Sequence, residues 1–132
     1  MATPMQIEYL APDSIHENST NPRKHPENQL RQLQKIIEQV GFINPIIIDQ
    51  DNQIIAGHAR KIIAARLGLE QVPTLRVDNL TESQLKAYML ADNKLVENAE
   101  WDNELLQVNI QFLVDLSFDM EATGFSSTEV DL

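Results

Sequence analysis

The chain has 132 residues, the length of one domain, and 42% of them are hydrophobic, enough to build a core and too many for a disordered chain. It has no cysteine, which excludes disulfide frameworks, thiolate zinc sites and thiol catalysis, and fits a cytoplasmic protein. The net charge is −10, but unevenly placed: residues 1–96 hold all ten Lys and Arg against eleven acids, while residues 97–132 hold nine acids and no Lys or Arg. That balance argues against a broad nucleic-acid-binding face and leaves room for a local basic patch in the first part. The acidic end reads as a solvated helical face or a surface for a basic partner.

The opening "MATPMQIEYL" lacks a basic segment followed by a long apolar run, so no signal peptide is expected, and no stretch has the length of a membrane span. "MQIEYL" alternates apolar and polar residues, the pattern of a short strand. "APDSIHENSTNPRKHP" is rich in turn formers and predicts a loop, extended at Asn21 because Pro22 follows. Pro26 suits the first turn of a helix, and Leu30, Leu33, Ile36, Ile37 and Val40 then recur at helical spacing up to Gly41, predicted as a left-handed cap. "NPIIIDQ" predicts a strand buried on both faces, "DQDNQ" a turn and "QIIA" its hairpin partner.

Gly57 interrupts the apolar pattern, and residues 58–67 suit a helix closed by Gly68. "VPTLRVD" is a further strand. Thr81 and Gln84 form a capping box ahead of a long helix, and Asp102 is the predicted cap of another that carries Leu105, Leu106, Val108, Ile110, Leu113 and Leu116. The closing "SFDMEATGFSSTEVDL" has weak periodicity. Interleaved strands and helices with one hairpin predict an α/β (α+β) class, a small mixed sheet packed with helices. The expected division is a core over residues 1–97 and an acidic helical extension over 98–132.

Three groups of residues carry chemistry. At Gly57, His58, Ala59 and Arg60 a strand hands over to a helix, whose N-terminal N–H groups and dipole favour anions. Gly57 permits a close backbone approach or a positive φ, His58 can donate a hydrogen bond, and Arg60 can fork onto a phosphate, with Lys61 adding charge. Taken alone, the same four residues are better explained by an ordinary tight turn with a solvated basic helix. Asp92 and Asn93, oxygen donors suited to Mg²⁺, sit side by side inside a helical pattern where neither favours helix. An exposed polar turn or a helix–helix junction explains the pair about as well. "NPRKHP" offers Arg23, Lys24 and His25 on a loop able to fold over a ligand, or simply a surface loop. His16, His25 and His58 have no metal-ligand spacing, so zinc is not expected. Trp101 reads as an anchor at a helix junction.

In order, "NPRKHPENQLRQLQKIIEQVGFINPIIID", "IIAGHARKIIAARLGLEQVPTLRVDNL" and "ADNKLVENAEWD" resemble the ParB-like N-terminal domain of the ParB/sulfiredoxin superfamily, over roughly residues 5–106. The resemblance implies a nucleotide-binding domain. ParB partition proteins hold the triphosphate of CTP with a Gly-Glu-Arg-Arg motif, matched here by Gly57, His58, Ala59 and Arg60. His58 replaces the acid and Ala59 the first Arg, a form more like the superfamily's small-molecule kinases and its methyltransferase-joined members. Asp92 and Asn93 look like the Glu-Asn pair that helps hold Mg²⁺ and phosphate.

Sulfiredoxin activity does not carry over without a cysteine. An acidic helical segment stands where partition proteins continue into a basic DNA-binding domain, so any DNA contact is expected through another domain. The tail looks most like the version at the front of phage and prophage DNA methyltransferases, although no methyltransferase motif is present. The expected function is therefore binding of a nucleoside triphosphate, CTP or ATP, with Mg²⁺, in a DNA-partition or DNA-modification protein. Self-association or partner binding is expected through residues 98–132. The alternatives are a phosphotransferase or ParB-like nuclease, with Glu27, Asp49, Asp51 or His58 as the general base, and an interaction domain without ligand.

Overall fold

The alternating and β-branched stretches spread over residues 7–76 meet in one four-stranded sheet. In the computed structural model, which describes residues 4–130, these are β1 (Ile7–Leu10), β2 (Ile46–Ile48), β3 (Ile54–Ala56) and β4 (Val72–Arg76), in the order β1-β4-β2-β3. β1 runs antiparallel to β4, β2 and β3 form the antiparallel hairpin, and β2 lies parallel to β4, so the sheet is mixed as the sequence predicts. β2 is an interior strand. Ile46 and Ile48 are fully buried and Ile47 is half-buried, the burial that its unbroken β-branched run implies.

The hairpin turn is closed by side chains. Asp49 Oδ1 accepts from the N–H of Asp51 and of Gln53, each at 2.8 Å, while Asn52 takes a positive φ of 62°. Arg76 ties the strand ends together by donating to Asp49 O at 2.9 Å, Asn52 Oδ1 at 2.7 Å and Glu8 Oε2 at 3.0 Å. Asp49 is thus the keystone of a turn and does not stand free as a base.

Helix α2 (His58–Arg66) packs on the sheet, and α1 (Glu27–Val40) packs on α2. α1 places Leu30 and Ile37 in the interior, where they meet Ile63 and Ala59 of α2. Val40, predicted on that face, is 51% exposed because it ends the last turn beyond the reach of α2. Pro26 stands one residue before the first helical position, in extended backbone. Gly41 has the positive φ of 92° expected of it, but with ψ at 175° it leaves the helix extended, not left-handed. Glu27 forks with Arg66 across the two helices at 2.6 and 2.9 Å.

The second half is helical: α3 (Glu82–Glu97), α4 (Asn103–Asp115) and a short α5 (Ser127–Val130). Thr81 and Gln84 form the predicted capping box, and Asp102 caps α4 by accepting from Leu105 N. α4 buries no residue, and Leu105, Val108, Phe112 and Leu116 are each more than 60% exposed. Trp101 is at the α3–α4 junction as predicted but is 68% exposed, its ring tilted 53° against that of Phe125 with centres 5.5 Å apart. It is no buried anchor, because the two helices share no interior for it to enter. No helix among the described residues is long and apolar enough to cross a membrane.

Candidate functional site

The β3–α2 junction is shaped by packing against the sheet. Gly57 has φ 105° and ψ 24°, left-handed backbone, and a Cβ there would lie 3.3 Å from Cα and Cγ1 of Ile46. Glycine is required twice over, by its dihedral and by the approach of β2. The turn it makes aims the N-terminus of α2 into a cleft of about 350 Å³. Unlike α3 and α4, α2 has no side-chain cap, and its first intrahelical bond is made by Lys61 N to Gly57 O, so the N–H groups of residues 58–60 have no partner within the helix.

Arg60 lines this cleft, half-buried, and makes no hydrogen bond or ion pair among the described residues. Burial without a counter-ion holds its pKa below the usual arginine value. A guanidinium in that position gains most from an anion, because the partial desolvation is already in place.

His58 is oriented differently from a free base. Its Nε2 accepts from the backbone N–H of Asn18 at 3.2 Å, which bolts the 16–20 loop to the start of α2. Burial, and then the nearby His25, lower its pKa, so the ring is neutral at pH 7 with its proton on Nδ1. Its role in the described structure is that of a strut.

The sequence-selected residues divide into two sets. Gly57, His58, Ala59, Arg60, Asp92 and Asn93 all line the cleft. Arg23 and Lys24 do not; they border a shallow groove beside it with Pro22, Asn93 and Glu97. Arg23 is committed to α3, its Nε donating to Asn93 Oδ1 at 2.6 Å. Asn93 completes itself by donating from Nδ2 to Met89 O at 2.8 Å, which explains how it sits in mid-helix. Asp92, one helical turn beyond Tyr88, is exposed and is the cleft's carboxylate; burial first, and then its charge, raise the pKa of Tyr88. The other proposed bases are elsewhere: Glu27 is paired with Arg66, and Asp49 and Asp51 lie in the hairpin turn.

Other cleft residues escaped the sequence reading. Gln29, Gln32 and Ile36 recur at helical spacing along α1 and form one wall, a signal masked by the stronger apolar stripe of the same helix. Ala122, Thr123 and Gly124 form another part, delivered by a 3-10 turn (Met120–Thr123) that folds back onto α1. No periodicity marks that turn. It is held by Glu121, which receives Arg31 Nε at 2.6 Å and Lys35 Nζ at 2.8 Å, and by Asp119, 3.3 Å from Lys35 Nζ. Part of the acidic tail therefore finds its basic partner within this chain.

Among the described residues, no group of three His, Asp or Glu side chains is placed to hold a metal alone. The cleft offers an uncapped helix N-terminus, an unpaired guanidinium, one carboxylate and an amide-lined wall. That donor set suits a phosphorylated ligand.

Comparison with known proteins bears on the fold and the family. The ParB-like nuclease domain-containing protein YnaK of Escherichia coli (strain K12) is 34% identical over 84 residues, which cover 64% of this chain and 97% of YnaK. The chromosome-partitioning protein ParB of Myxococcus xanthus (strain DK1622) is 36% identical over 92 residues, 67% of this chain but 29% of that protein. The chain thus spans nearly all of one relative and under a third of the other. In three dimensions it is similar to C-terminally truncated ParB of Caulobacter crescentus complexed with CTP-γ-S, with a TM-score of 0.76 at 21% identity, covering 95% of this chain and 74% of that one. The same protein complexed to the centromeric parS site gives a TM-score of 0.54 at 22% identity, covering 94% and 68%. These structural likenesses establish the fold. A family model described as the ParB N-terminal domain matches residues 2–94, and the chain belongs to that family.

Proposed function

We propose that the chain is a nucleotide-binding ParB-like domain serving a DNA-partition or DNA-modification protein, with the phosphates of CTP or ATP seated at the N-terminus of α2. The observation that carries this reading is Arg60, a half-buried guanidinium without an internal partner beside three uncapped N–H groups. The Caulobacter relative's complex with CTP-γ-S supports a nucleoside triphosphate as the ligand. Mg²⁺ fits as a phosphate-bound ion that keeps several waters and takes one protein oxygen, Asp92. Asn93 joins it only where Arg23 releases Oδ1. DNA contact belongs to another domain, and the exposed apolar residues of α4 serve self-association.

A nuclease or phosphotransferase reading, raised by the YnaK relationship, gains less from the geometry. Each candidate base is engaged or remote: Glu27 with Arg66, Asp49 and Asp51 in the hairpin turn, His58 Nε2 with Asn18. Calorimetric titration with CTP and with ATP, with and without Mg²⁺, tests the binding reading. Heat is expected from at least one nucleotide and is expected to vanish in Arg60→Ala; heat unchanged in that variant overturns it.

A further inference from the structure

The apolar residues of α4 fall on two stripes. Leu105, Val108 and Phe112 recur at helical spacing and are each more than 60% exposed, while Leu106 and Ile110, one turn apart on another side, are half-buried. This second stripe floors a cavity of about 340 Å³ that Trp101, Phe125 and Glu129 also line. The cavity shares no lining residue with the cleft at the N-terminus of α2.

Aromatic rings and negative charge meet there. The rings of Trp101 and Phe125, 5.5 Å apart at 53°, are tilted and not stacked, and Trp101 is 68% exposed, so indole surface stays uncovered. The face of such a ring attracts a cation, and an arginine guanidinium most readily, since its plane can lie flat on the ring. Glu129 supplies the counter-charge. Its Oε1 accepts from Ser126 N at 2.9 Å, a bond that holds the carboxyl below the usual carboxylate range, and its Oε2 makes no bond among the described residues.

Charge decides what fits this cavity. Residues 97–132 hold nine acids and no Lys or Arg. Glu97, Asp119 and Glu121 meet cations within the chain, but Glu100, Glu104 and Glu129 meet none among the described residues. Unmet carboxylates around an apolar floor repel a phosphate backbone, and they oppose a second copy that lays the same stripe here. They complement a basic segment with apolar residues along one side.

We infer that the cavity between α4 and α5 is a docking seat for a basic amphipathic segment of a partner protein, with an arginine side chain laid against Trp101 and Phe125 and its charge met by Glu129. Leu106 and Ile110 receive the apolar neighbours of that arginine. The seat does not rest on the phosphate chemistry at α2, and a failure of nucleotide binding leaves it standing.

Trp101 is the only Trp of the chain, so its emission reports on the seat directly. The full chain is titrated with a blocked peptide bearing arginine along one helical face and leucine along the other, and with its counterpart carrying citrulline, a neutral isostere, at every arginine. The arginine peptide is expected to shift or quench the emission, and the citrulline peptide to bind about tenfold more weakly. Calorimetry then follows the arginine peptide in Trp101→Leu, Phe125→Leu, Glu129→Gln and Glu38→Gln, the last an acid of α1 outside the cavity, each checked for an unchanged melting profile. The first three are expected to weaken binding by about threefold to tenfold, and Glu38→Gln to stay within about twofold. Equal affinity for the two peptides, equal losses in all four variants, or no loss in Trp101→Leu and Phe125→Leu overturns the seat. Emission unmoved by the arginine peptide overturns it as well, and if that emission changes on dilution of the chain the occupant is a second copy. Trp101→Leu, at an exposed position, keeps the test decisive should Phe125→Leu loosen the fold.

Discussion

Ile15, Ile46, Ile48, Ile54, Ile63 and Val72 of the sheet region are 0% exposed, whereas α4, with Leu105, Val108, Phe112 and Leu116 along its length, buries nothing. The first region holds a fully buried apolar interior; α4 displays its apolar residues. A chain that leaves Phe112 64% exposed and Trp101 68% exposed has a helical half with little interior of its own, while the sheet half holds the fully buried cluster. The cleft lies between these regimes, one side built on the sheet and part of its other wall held by ion pairs and Ala122.

The sharpest way to break the comparison is to cut both regions alike. Ile63→Ala is expected to cost about 2–5 kcal/mol in denaturant unfolding, since it deletes a fully buried side chain between α1 and α2. Gly57→Ala follows at about 1–3 kcal/mol for the left-handed backbone alone, with a further cost from the approach to Ile46, and nucleotide heat is expected to be lost with it. Chemical unfolding with matched calorimetry measures both.

His58 sharpens the contrast through pH. Its folded pKa lies below its ordinary 6.5, burial being the first cause, so the unfolded chain takes up a proton first as pH falls. The stability it contributes is whole above about pH 6.5 and is lost as pH drops below that value toward the lowered folded pKa. Denaturation midpoints across about pH 5 to 8 are expected to fall toward acid in wild type and to fall less in His58→Gln; parallel curves contradict the strut assignment. At the small end, Leu105→Ala on α4 is expected to change monomer stability by no more than about 0.5 kcal/mol. Its effect is expected in association instead, as a lower fraction of dimer by sedimentation. A Leu105→Ala penalty as large as that of Ile63→Ala would erase the distinction between the two halves.

Much was legible from the residues in order. The hairpin at "DQDNQ", the interior strand at Ile46–Ile48, the capping box at Thr81 and the cap at Asp102 are local matters of periodicity, turn chemistry and short-range hydrogen bonding, and they stand where the sequence implies. The Gly57–Arg60 junction was legible as a turn with charge, because glycine and helix polarity are local too. Of the two reasons the turn needs its glycine, the positive φ was legible; the approach of Ile46, eleven residues earlier, was not, because only strand packing creates it.

Tertiary structure alone decided the rest. Arg23 reads as a flap over a ligand, yet its guanidinium is spent on Asn93, 70 residues away. Asp49 reads as a free carboxylate and is consumed by the turn it closes. The tail at 119–124 has no periodicity to betray it, and becomes a wall of the cleft because two cations of α1 stand where Asp119 and Glu121 can reach them. Sequence determines which residues can form helices, strands and turns, since those depend on neighbours a few positions apart. Which polar groups remain free to meet a ligand depends on partners brought from tens of residues away, and that is settled only when the chain has folded.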